Sequence, residues 1–297
     1  MTDNIDPRPE FSLIISTVGP AEGLVDCLAS FMAQTYGSFE VIIVDQNRTD
    51  HVRAMAETFL GSGKVHYTTS AIGLSKGRNT GLALARGRIV AFPDDDCDYP
   101  DTLLADIRAQ LRSRADTSGI CVRCADHQGN DSAGRSDRRS GMITKSNVWQ
   151  RAVSVGMFLQ ADAVREAGGF DETIGLGCST PYLSGEETDL LLSIIGNGHK
   201  VYYDPALNVF HPPSPTEITP KLIARSYAYG MGKGLVLRKH DYKLHQIAIH
   251  LLKPVLGAVL AALRGDVPLA KLRLTRAKGR LDGWISSRSY LANKLAA

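Results

Sequence analysis

The sequence predicts an α/β fold, in which a mostly parallel sheet is flanked by helices on both faces and followed by a basic helical extension. Short apolar, β-rich segments alternate with segments of helical periodicity through the first 215 residues, which is typical of such sheets. Residues 220–297 contain 15 Lys and Arg but only 3 Asp and Glu, although the whole chain of 297 residues has a net charge of +3. This asymmetry indicates that the C-terminal part meets an anionic partner or presents a solvated basic face.

The first half of the chain predicts four buried strands, each followed by a helix. The strands are expected at residues 11–17, 39–44, 65–68 and 89–92, and the helices at 21–34, 52–59, 75–85 and 102–112. Polar residues follow three of these strands: Thr17, Asp45 and the triplet Asp94-Asp95-Asp96. Because function in parallel sheets collects at the carboxyl ends of the strands, we expect these residues to meet at one edge.

The second half is less regular. Residues 126–147 are polar and rich in Gly and Ser, which predicts a long mobile loop, either a functional lid or a surface excursion. Strands are expected at 155–160 and 200–204, and helices at 162–167 and 190–195. Four prolines between residues 212 and 220 indicate a domain edge. The α/β domain is therefore predicted to span 11–215, with halves at 11–125 and 148–215.

The two ends of the chain differ in character. Residues 1–10 form a polar tail without the apolar stretch of a signal peptide, so the expected location is cytoplasmic. Residues 216–297 are predicted to be helical, with the most apolar stretch at 255–263. That stretch is interrupted upstream by Lys253 and Pro254, and it is expected to be too short to span a bilayer. It is predicted to lie on an anionic membrane surface, with basic contacts from Lys253, Arg264, Lys271, Arg273 and Arg276.

The acidic triplet is the strongest chemical signal. Three consecutive carboxylates after an apolar strand are costly unless a cation neutralises them, and Mg²⁺ or Mn²⁺ prefers oxygen ligands. Such an ion completes its shell with substrate phosphates, so the expected ligand is a nucleoside diphosphate. The alternative is a polar turn before the helix that is expected near Thr102.

Three further segments carry candidate functional residues, each with a structural alternative. Arg78 and Asn79 lie in the segment GLSKGRNTG, where a guanidinium could contact a diphosphate or the triplet. The segment GEETD offers carboxylates that could take the proton of an acceptor hydroxyl, or could simply favour a helix start. His211 could be a structural residue or a metal ligand. The carboxylates of this segment are Glu186, Glu187 and Asp189.

Together these segments resemble glycosyltransferase family two, whose members have the GT-A fold. FSLIIST and FEVIIVDQN are similar to the first two strands of the family, and GLSKGRNTGLALARGRIVAFPDDDCDYP is similar to its central signature. The resemblance implies that Asp45 and Asp94 contact the nucleoside and that Asp96 binds the metal. Thr17, Arg78, Asn79 and Asp95 are expected to complete the nucleotide-sugar site.

The acceptor half resembles the same family. GGFDETIGLG and SGEETDLLLSIIGNGHKVYYDP are similar to its E-D-x-D region, so the catalytic base is expected at Glu187, with Glu186 and Asp189 beside it. The family's late histidine, a metal ligand in some members, falls on His211. Two departures from the family pattern are Gln46-Asn47 after Asp45, and Glu187 where Asp is more usual.

The resemblance implies an inverting transferase that uses Mg²⁺ or Mn²⁺. The expected donor is a UDP- or dTDP-linked sugar, and the expected acceptor is a glycan or polyprenyl-linked glycan of bacterial surface polysaccharide. One alternative is a sugar-phosphate nucleotidyltransferase, although VGPAEGLVDCL after the first strand lacks the basic residues of that loop. The other is a non-catalytic membrane-associated scaffold. Nucleic-acid binding is not expected, because no aromatic platform accompanies the basic residues.

Overall fold

The fold is centred on an eight-stranded mixed sheet. The structure, a computed structural model, describes residues 8–213 and 217–296. The strands are β1 (Phe11–Thr17), β2 (Phe39–Asp45), β3 (Val65–Thr69), β4 (Ile89–Ala91), β5 (Gly119–Ala125), β6 (Gly141–Met142), β7 (Met157–Gln160) and β8 (Val201–Phe210). Their order across the sheet is β3-β2-β1-β4-β7-β5-β8-β6. β7 runs antiparallel to both β4 and β5, and β6 runs antiparallel to β8, whereas the other pairs are parallel.

Helices alternate with the strands in the first part of the chain and continue alone at its end. They are α1 (Leu24–Met32), α2 (His51–Leu60), α3 (Leu74–Leu84), α4 (Leu103–Ser113), α5 (Ala161–Glu166), α6 (Glu186–Gly196), α7 (Pro220–Lys239), α8 (Leu244–Leu263) and α9 (Val267–Ala296). β1 and β2 are almost wholly buried, which is typical of strands covered on both faces. The predicted α/β class, with a mostly parallel sheet flanked by helices, is confirmed.

Several elements differ from their predictions, including the short strand β6, which lies within the predicted loop 126–147. β5 was not predicted, because its cysteines and arginine hide an otherwise apolar run that is fully buried. β8 continues six residues beyond the predicted end at Asp204, with a shift of register against β5 that accommodates Pro205. α6 begins at Glu186 rather than at residue 190, so the acidic residues form the first turn of the helix.

The chain divides into two compact units, which we call the sheet unit and the helical unit. Of the described residues, the sheet unit contains 8–170 and 190–213, and the helical unit contains 171–189 and 217–296. The segment 171–189, predicted as part of the acceptor half, thus groups with the C-terminal helices. The predicted domain edge at residue 215 and the N-terminal tail through residue 7 lie outside the described residues.

Close packing of α7 against α9 organises the helical unit. Gly230 and Gly234 of α7 lie against Gly279 and Gly283 of α9, where an added Cβ would come within 3 Å of the facing helix backbone. Such spacing lets two helix backbones approach without intervening side chains. A small core of Ile174, Tyr182, Met231 and Leu235 lies beside this crossing.

α8 corrects the expectation that Pro254 interrupts the apolar stretch. The helix is continuous over its 20 residues and is long and apolar enough to cross a membrane, by length and composition only. Pro254 has no N–H to donate to the carbonyl of His250, four residues earlier. Arg280 Nη1 of α9 donates to that carbonyl instead, at 2.6 Å, which compensates for the lost bond.

Candidate functional site

The carboxyl ends of four strands in the sheet unit gather polar side chains. Thr17 and Asp45 are paired in register at the ends of β1 and β2, and the triplet follows β4. His211 follows β8, which points in the same direction as β4. An isolated antiparallel bridge, in which the backbone N–H groups of Asp98 and Phe210 each donate to the other's carbonyl at 2.9 Å, holds the chain after the triplet against the end of β8.

Asp94 is fixed by Arg78, the residue predicted to contact either a diphosphate or the triplet. Arg78 Nη2 lies 3.3 Å from Asp94 Oδ1, and the arginine side chain is only 2% exposed. The guanidinium carbon lies 5.3 Å from the centre of the Phe170 ring, a cation–π contact. Arg78 therefore positions Asp94 from within the protein.

Asp95 has a different partner. The hydroxyl of Thr17, itself 1% exposed, donates to Asp95 Oδ2. Burial raises the pKa of Asp95 above its ordinary value, although the bond from Thr17 opposes this, and the charges of Asp96 and Asp94 add to the increase. Asp95 is thus directed toward the sheet end by Thr17.

Asp96 faces His211. His211 Nε2 lies 3.3 Å from Asp96 Oδ1 and 3.9 Å from Asp94 Oδ2. The other ring nitrogen, Nδ1, lies 2.7 Å from the carbonyl of Pro212, which can only accept, so Nδ1 carries a proton. In the neutral imidazole, Nε2 then presents a lone pair toward Asp96.

The donor atoms around Asp96 suit a divalent cation. Asp96 Oδ1 is buried and has no hydrogen-bond donor among the described residues. Burial raises the pKa of Asp96; the charge of Asp94 adds to this and that of His211 opposes it. Two acceptor atoms that face each other across 3.3 Å require a proton or a metal ion near them. Within the described residues, no three His, Cys, Asp or Glu side chains form a ready metal site, so substrate oxygens would have to complete the shell.

Gly23, which was not among the predicted site residues, supports the triplet from behind. A Cβ at this position would lie 2.8 Å from both Cα and Cβ of Asp96 and 3.0 Å from the carbonyl oxygen of Asp95. The start of α1 can therefore approach the triplet this closely only through a glycine. A cleft of about 720 Å³ adjoins this contact and is lined in part by Asp96, His211 and Gly23.

Asp45 and its neighbour Gln46 organise the next loop. Asp45 accepts hydrogen bonds from Tyr67 Oη at 2.6 Å and from the backbone N–H of Asn47 at 2.8 Å. Two effects raise the pKa of Tyr67 to about 12: the larger is burial, and the second is the hydrogen bond to Asp45. Gln46 Nε2 donates to the carbonyls of Ala71 and Gly73, which fixes the loop that leads into α3.

Asn79 does not join the triplet. Its side-chain amide donates to the carbonyl of Phe170 at 2.9 Å and accepts from the N–H of the same residue at 2.8 Å. This pair of bonds holds Phe170 against Arg78. The structure therefore brings together Thr17, Arg78, the triplet and His211, with Asp45 beside them in the sheet, while Asn79 acts on the neighbouring backbone.

The predicted catalytic carboxylates lie in the first turn of α6, within the helical unit. Glu186 is buried and Glu187 is partly exposed. Asp189 is 3% exposed and is paired with Lys239 Nζ and His240 Nε2 of α7, each at 2.8 Å. Lys239 also donates a hydrogen bond to Asp171 at 2.8 Å. Burial alone would lower the pKa of Lys239, but the charge of Asp189 and the bonds to both carboxylates outweigh it, so the pKa is raised. Asp189 is therefore engaged in a buried ion-pair network.

The approach to α6 depends on two glycines. Gly185 has φ +93°, a conformation that favours glycine, and it directs the chain into Glu186. A Cβ on Gly232 of α7 would lie 2.0 Å from the carbonyl oxygen of Ser184. Ser184 Oγ also donates to the carbonyl of Tyr229 at 2.9 Å. α7 thus holds the segment before the carboxylates by direct backbone contact, which no local sequence signal could show.

Comparison with known proteins identifies a family. A family model described as Glycosyl transferase family 2 matches residues 12–160, half of the chain. Glycosyltransferase AglE of Haloferax volcanii is 28% identical over 170 residues, which cover 54% of this chain and 56% of AglE. The PGL/p-HBAD biosynthesis glycosyltransferase of Mycobacterium tuberculosis is 36% identical over 100 residues, which cover 32% of this chain and 39% of that enzyme. The chain thus spans about half the length of these relatives, or less.

Solved structures share the fold at low identity. S. aureus TarS 1-349, determined in complex with UDP-GlcNAc, superimposes with a TM-score of 0.58 at 15% identity, covering 94% of this chain and 92% of that one. The mannosyltransferase PcManGT from Pyrobaculum calidifontis, in complex with GDP-Man and Mn²⁺, gives a TM-score of 0.62 at 16% identity, covering 92% and 87%. These likenesses confirm the predicted GT-A fold.

Proposed function

The chain belongs to glycosyl transferase family 2, and on that premise we propose that it is a metal-dependent, inverting glycosyltransferase that uses a nucleotide-diphosphate sugar. The observation that carries this proposal is the pair of facing acceptors, Asp96 Oδ1 and His211 Nε2, at the carboxyl ends of the sheet. A Mg²⁺ or Mn²⁺ ion held by these two residues would neutralise the charge of the leaving diphosphate. A UDP- or dTDP-linked sugar is the proposed donor.

The residues around Asp96 give the proposed donor site its form. Arg78 would orient Asp94 toward the nucleoside, and Thr17 directs Asp95 back to the sheet. Asp45 would contact the base from the end of β2. Because Arg78 is buried and already holds Asp94, we assign it to positioning rather than to direct contact with the diphosphate.

Glu187 is the proposed base. It would take the proton of an acceptor hydroxyl while the hydroxyl oxygen bonds to the anomeric carbon and the bond from that carbon to the diphosphate oxygen breaks, with inversion. Glu186 is the alternative. Asp189 is the least suitable of the three, because Lys239 and His240 already hold its two carboxylate oxygens inside the protein.

Metal dependence and donor use can be tested together. The protein is incubated with a panel of nucleotide sugars, with Mn²⁺ or with EDTA, and release of nucleotide diphosphate is measured. We expect turnover of a UDP- or dTDP-sugar with Mn²⁺, and loss of it in EDTA and in Asp96→Ala. Full activity in EDTA would refute the role of the metal, and the absence of turnover with every donor would favour a non-catalytic scaffold.

The acceptor is proposed to be a glycan or polyprenyl-linked glycan of bacterial surface polysaccharide, reached from the cytoplasmic membrane surface. In α8, only 17% of the most apolar window is buried within the chain. Leu256 and Leu263 are 62% and 80% exposed. Basic residues accompany this apolar face, which matches an anionic bilayer surface; they are Lys253, Arg264, Lys271, Arg273 and Arg276.

Membrane contact is tested with the full chain and vesicles that contain phosphatidylglycerol. Leu256→Asp with Leu263→Asp should abolish co-sedimentation, because each charge opposes burial among acyl chains. Ile72→Asp is the matched control, since Ile72 is 56% exposed but lies in the sheet unit. Unchanged binding by the double variant would refute contact through α8.

A further inference from the structure

Five basic side chains converge where α7, α8 and α9 meet in the helical unit. We call Lys233, His250, Lys253, Arg276 and Arg280 the cationic cluster. His250 and Lys253 are three residues apart on α8, and Arg276 and Arg280 are four apart on α9, so each pair lies on one face of its helix. The bond from Arg280 to the His250 carbonyl joins α9 to α8. Lys233 lies one turn after Gly230, which packs on the backbone of Arg276 and Arg280.

The charges of the cluster act on one another. Burial and the charges of Arg280, Arg276 and Lys253 lower the pKa of Lys233, and the charge of Glu187 opposes them. Burial and three cationic neighbours, Lys233, Arg280 and Lys253, lower the pKa of His250 to about 3. Like charges held this closely are unfavourable, and the repulsion is relieved either when a group such as His250 stays neutral or when an anion binds.

A purely structural role explains only part of the cluster. Arg280 Nη1 compensates for Pro254, but its Nε is buried without a hydrogen-bond partner in the described part of the chain. Lys253 and Arg276 are both exposed by more than a third, and no carboxylate pairs with either of them among residues 8–213 and 217–296. These side chains are therefore available to an anion that comes from solution or from a membrane.

We infer that the cationic cluster binds the diphosphate of a lipid-linked acceptor, which places the acceptor beside Glu187. This inference rests on the proposed function. A diphosphate carries several negative charges on a compact group, which several converging cations recognise better than one cation does. The exposed apolar face of α8 offers a surface for the attached lipid, and Glu187 is the carboxylate whose charge reaches Lys233.

The test uses the full chain in EDTA, so that no metal-bound nucleotide site contributes. Co-sedimentation is measured with phosphatidylcholine vesicles that contain geranylgeranyl diphosphate, and with vesicles that contain phosphatidylglycerol at equal charge. The variant Lys253→Gln with Arg276→Gln removes the two exposed cations, and Lys278→Gln with Arg288→Gln removes two exposed cations of α9 outside the cluster. Thermal unfolding with inorganic pyrophosphate gives a second measurement without lipid.

We expect the wild type to bind the diphosphate vesicles about tenfold more tightly than the phosphatidylglycerol vesicles. The Lys253/Arg276 variant should lose about tenfold or more, as expected for charged hydrogen bonds, whereas the Lys278/Arg288 variant should stay within about twofold. Pyrophosphate should raise the melting temperature of the wild type and the control, but not that of the Lys253/Arg276 variant.

Three results would overturn the inference. Equal binding to both kinds of vesicle would show an unspecific anionic surface, and unchanged binding by the Lys253/Arg276 variant would remove the cluster from recognition. Release of nucleotide diphosphate with Mn²⁺, measured on the same proteins, tests the proposed function separately. A wild type that turns over the donor but does not bind the diphosphate vesicles would overturn the inference and leave the proposed function intact.

Discussion

Gly23→Ala should impair the donor site by displacing Asp96. Gly23 has φ −84° and ψ −7°, which alanine adopts without strain, so the backbone conformation does not oppose the change. The new Cβ would lie 2.8 Å from Cα and Cβ of Asp96, whereas ordinary contacts begin at 3.4 Å. The neighbouring atoms are largely backbone and cannot rotate away, so the triplet has to shift by about 0.6 Å.

The expected loss follows from that displacement. A misplacement of about 1 Å can cost roughly 100-fold in rate, so a shift of this size should lower kcat/KM by roughly tenfold to 100-fold. Overpacking should lower the free energy of unfolding by about 1–3 kcal/mol. The lower conformational entropy of the unfolded alanine variant should raise it by about 0.4–1 kcal/mol. The variant should therefore fold, with its free energy of unfolding lower by about 1–2 kcal/mol.

The assay combines calorimetric titration of UDP in the presence of Mn²⁺ with donor turnover and thermal unfolding. Gly61→Ala is the matched control, because Gly61 also has helical dihedral angles, φ −70° and ψ −10°, and an added Cβ meets nothing within 4 Å. The control should retain turnover and Mn²⁺-dependent UDP affinity. Wild-type turnover and affinity in Gly23→Ala would refute the claim that this contact sets the position of Asp96.

Three further changes test other parts of the site. Glu187→Gln should lower kcat by about 10²–10⁴-fold while UDP still binds, because only proton transfer is lost; an unchanged rate would transfer the role of base to Glu186. Lys239→Met should lower the free energy of unfolding by about 3 kcal/mol in denaturant, because it leaves the buried charge of Asp189 with fewer partners. Asp96→Asn should be more stable than the metal-free wild type at pH 7, with the difference vanishing below the ordinary carboxyl pKa of 3.8.

The sign of the last effect comes from the raised pKa of Asp96. The native state holds this proton more tightly than the unfolded chain, so stability falls as the pH rises above 3.8, and the amide avoids this loss. This prediction would be contradicted if the wild type were as stable as Asp96→Asn, or more stable, at pH 7. The control is Asp162→Asn, because the Asp162 carboxylate is 89% exposed. For Lys239, the control is Lys278→Met: Lys278 is 69% exposed, and its loss should leave the free energy of unfolding nearly unchanged.

Much of the sheet could be predicted because buried parallel strands are locally distinctive. β1 has the predicted bounds, and β2 and β3 differ from theirs by one residue at the C-terminal end. β5 could not be recognised from its own residues. Arg123 within it is buried because the following loop supplies its partners, Asp131 at 2.9 Å and the carbonyl of Gly129 at 2.6 Å. A charged residue in a strand becomes acceptable through a partner that local periodicity does not reveal.

The loop predicted at residues 126–147 illustrates the same limit. Within this loop, the Asp137 carboxylate accepts a hydrogen bond from Arg151 Nη2 at 2.8 Å, and the Asp137 backbone carbonyl accepts one from the hydroxyl of Tyr203. Its composition indicated only an irregular segment, whereas its attachments come from β8 and from the segment before β7. Its mobility stays a prediction.

Candidate site residues could be recognised in the sequence where they follow a strand, but not where they lie in or next to a helix that supports the site. The triplet and Asp45 follow apolar strands, so their shared edge could be predicted from chain order alone. Gly23 and Lys239 carried no such signal. Gly23 resembles any glycine before a helix, and Lys239 resembles any lysine in a helix's last turn, until the distant residues that they contact are known.

The three aspartates have identical side chains, and only their neighbours give them different roles. Asp94 is committed to Arg78 and Asp95 to Thr17, each through one carboxylate oxygen. Asp96 is left with a buried oxygen that has no hydrogen-bond donor among the described residues and lies 3.3 Å from Nε2 of His211. If a divalent cation binds here, the pairings of Asp94 and Asp95 are retained and Asp96 gains its missing partner. Asp96→Ala should therefore abolish Mn²⁺-dependent UDP binding, whereas Thr17→Val should weaken it only by misorienting Asp95.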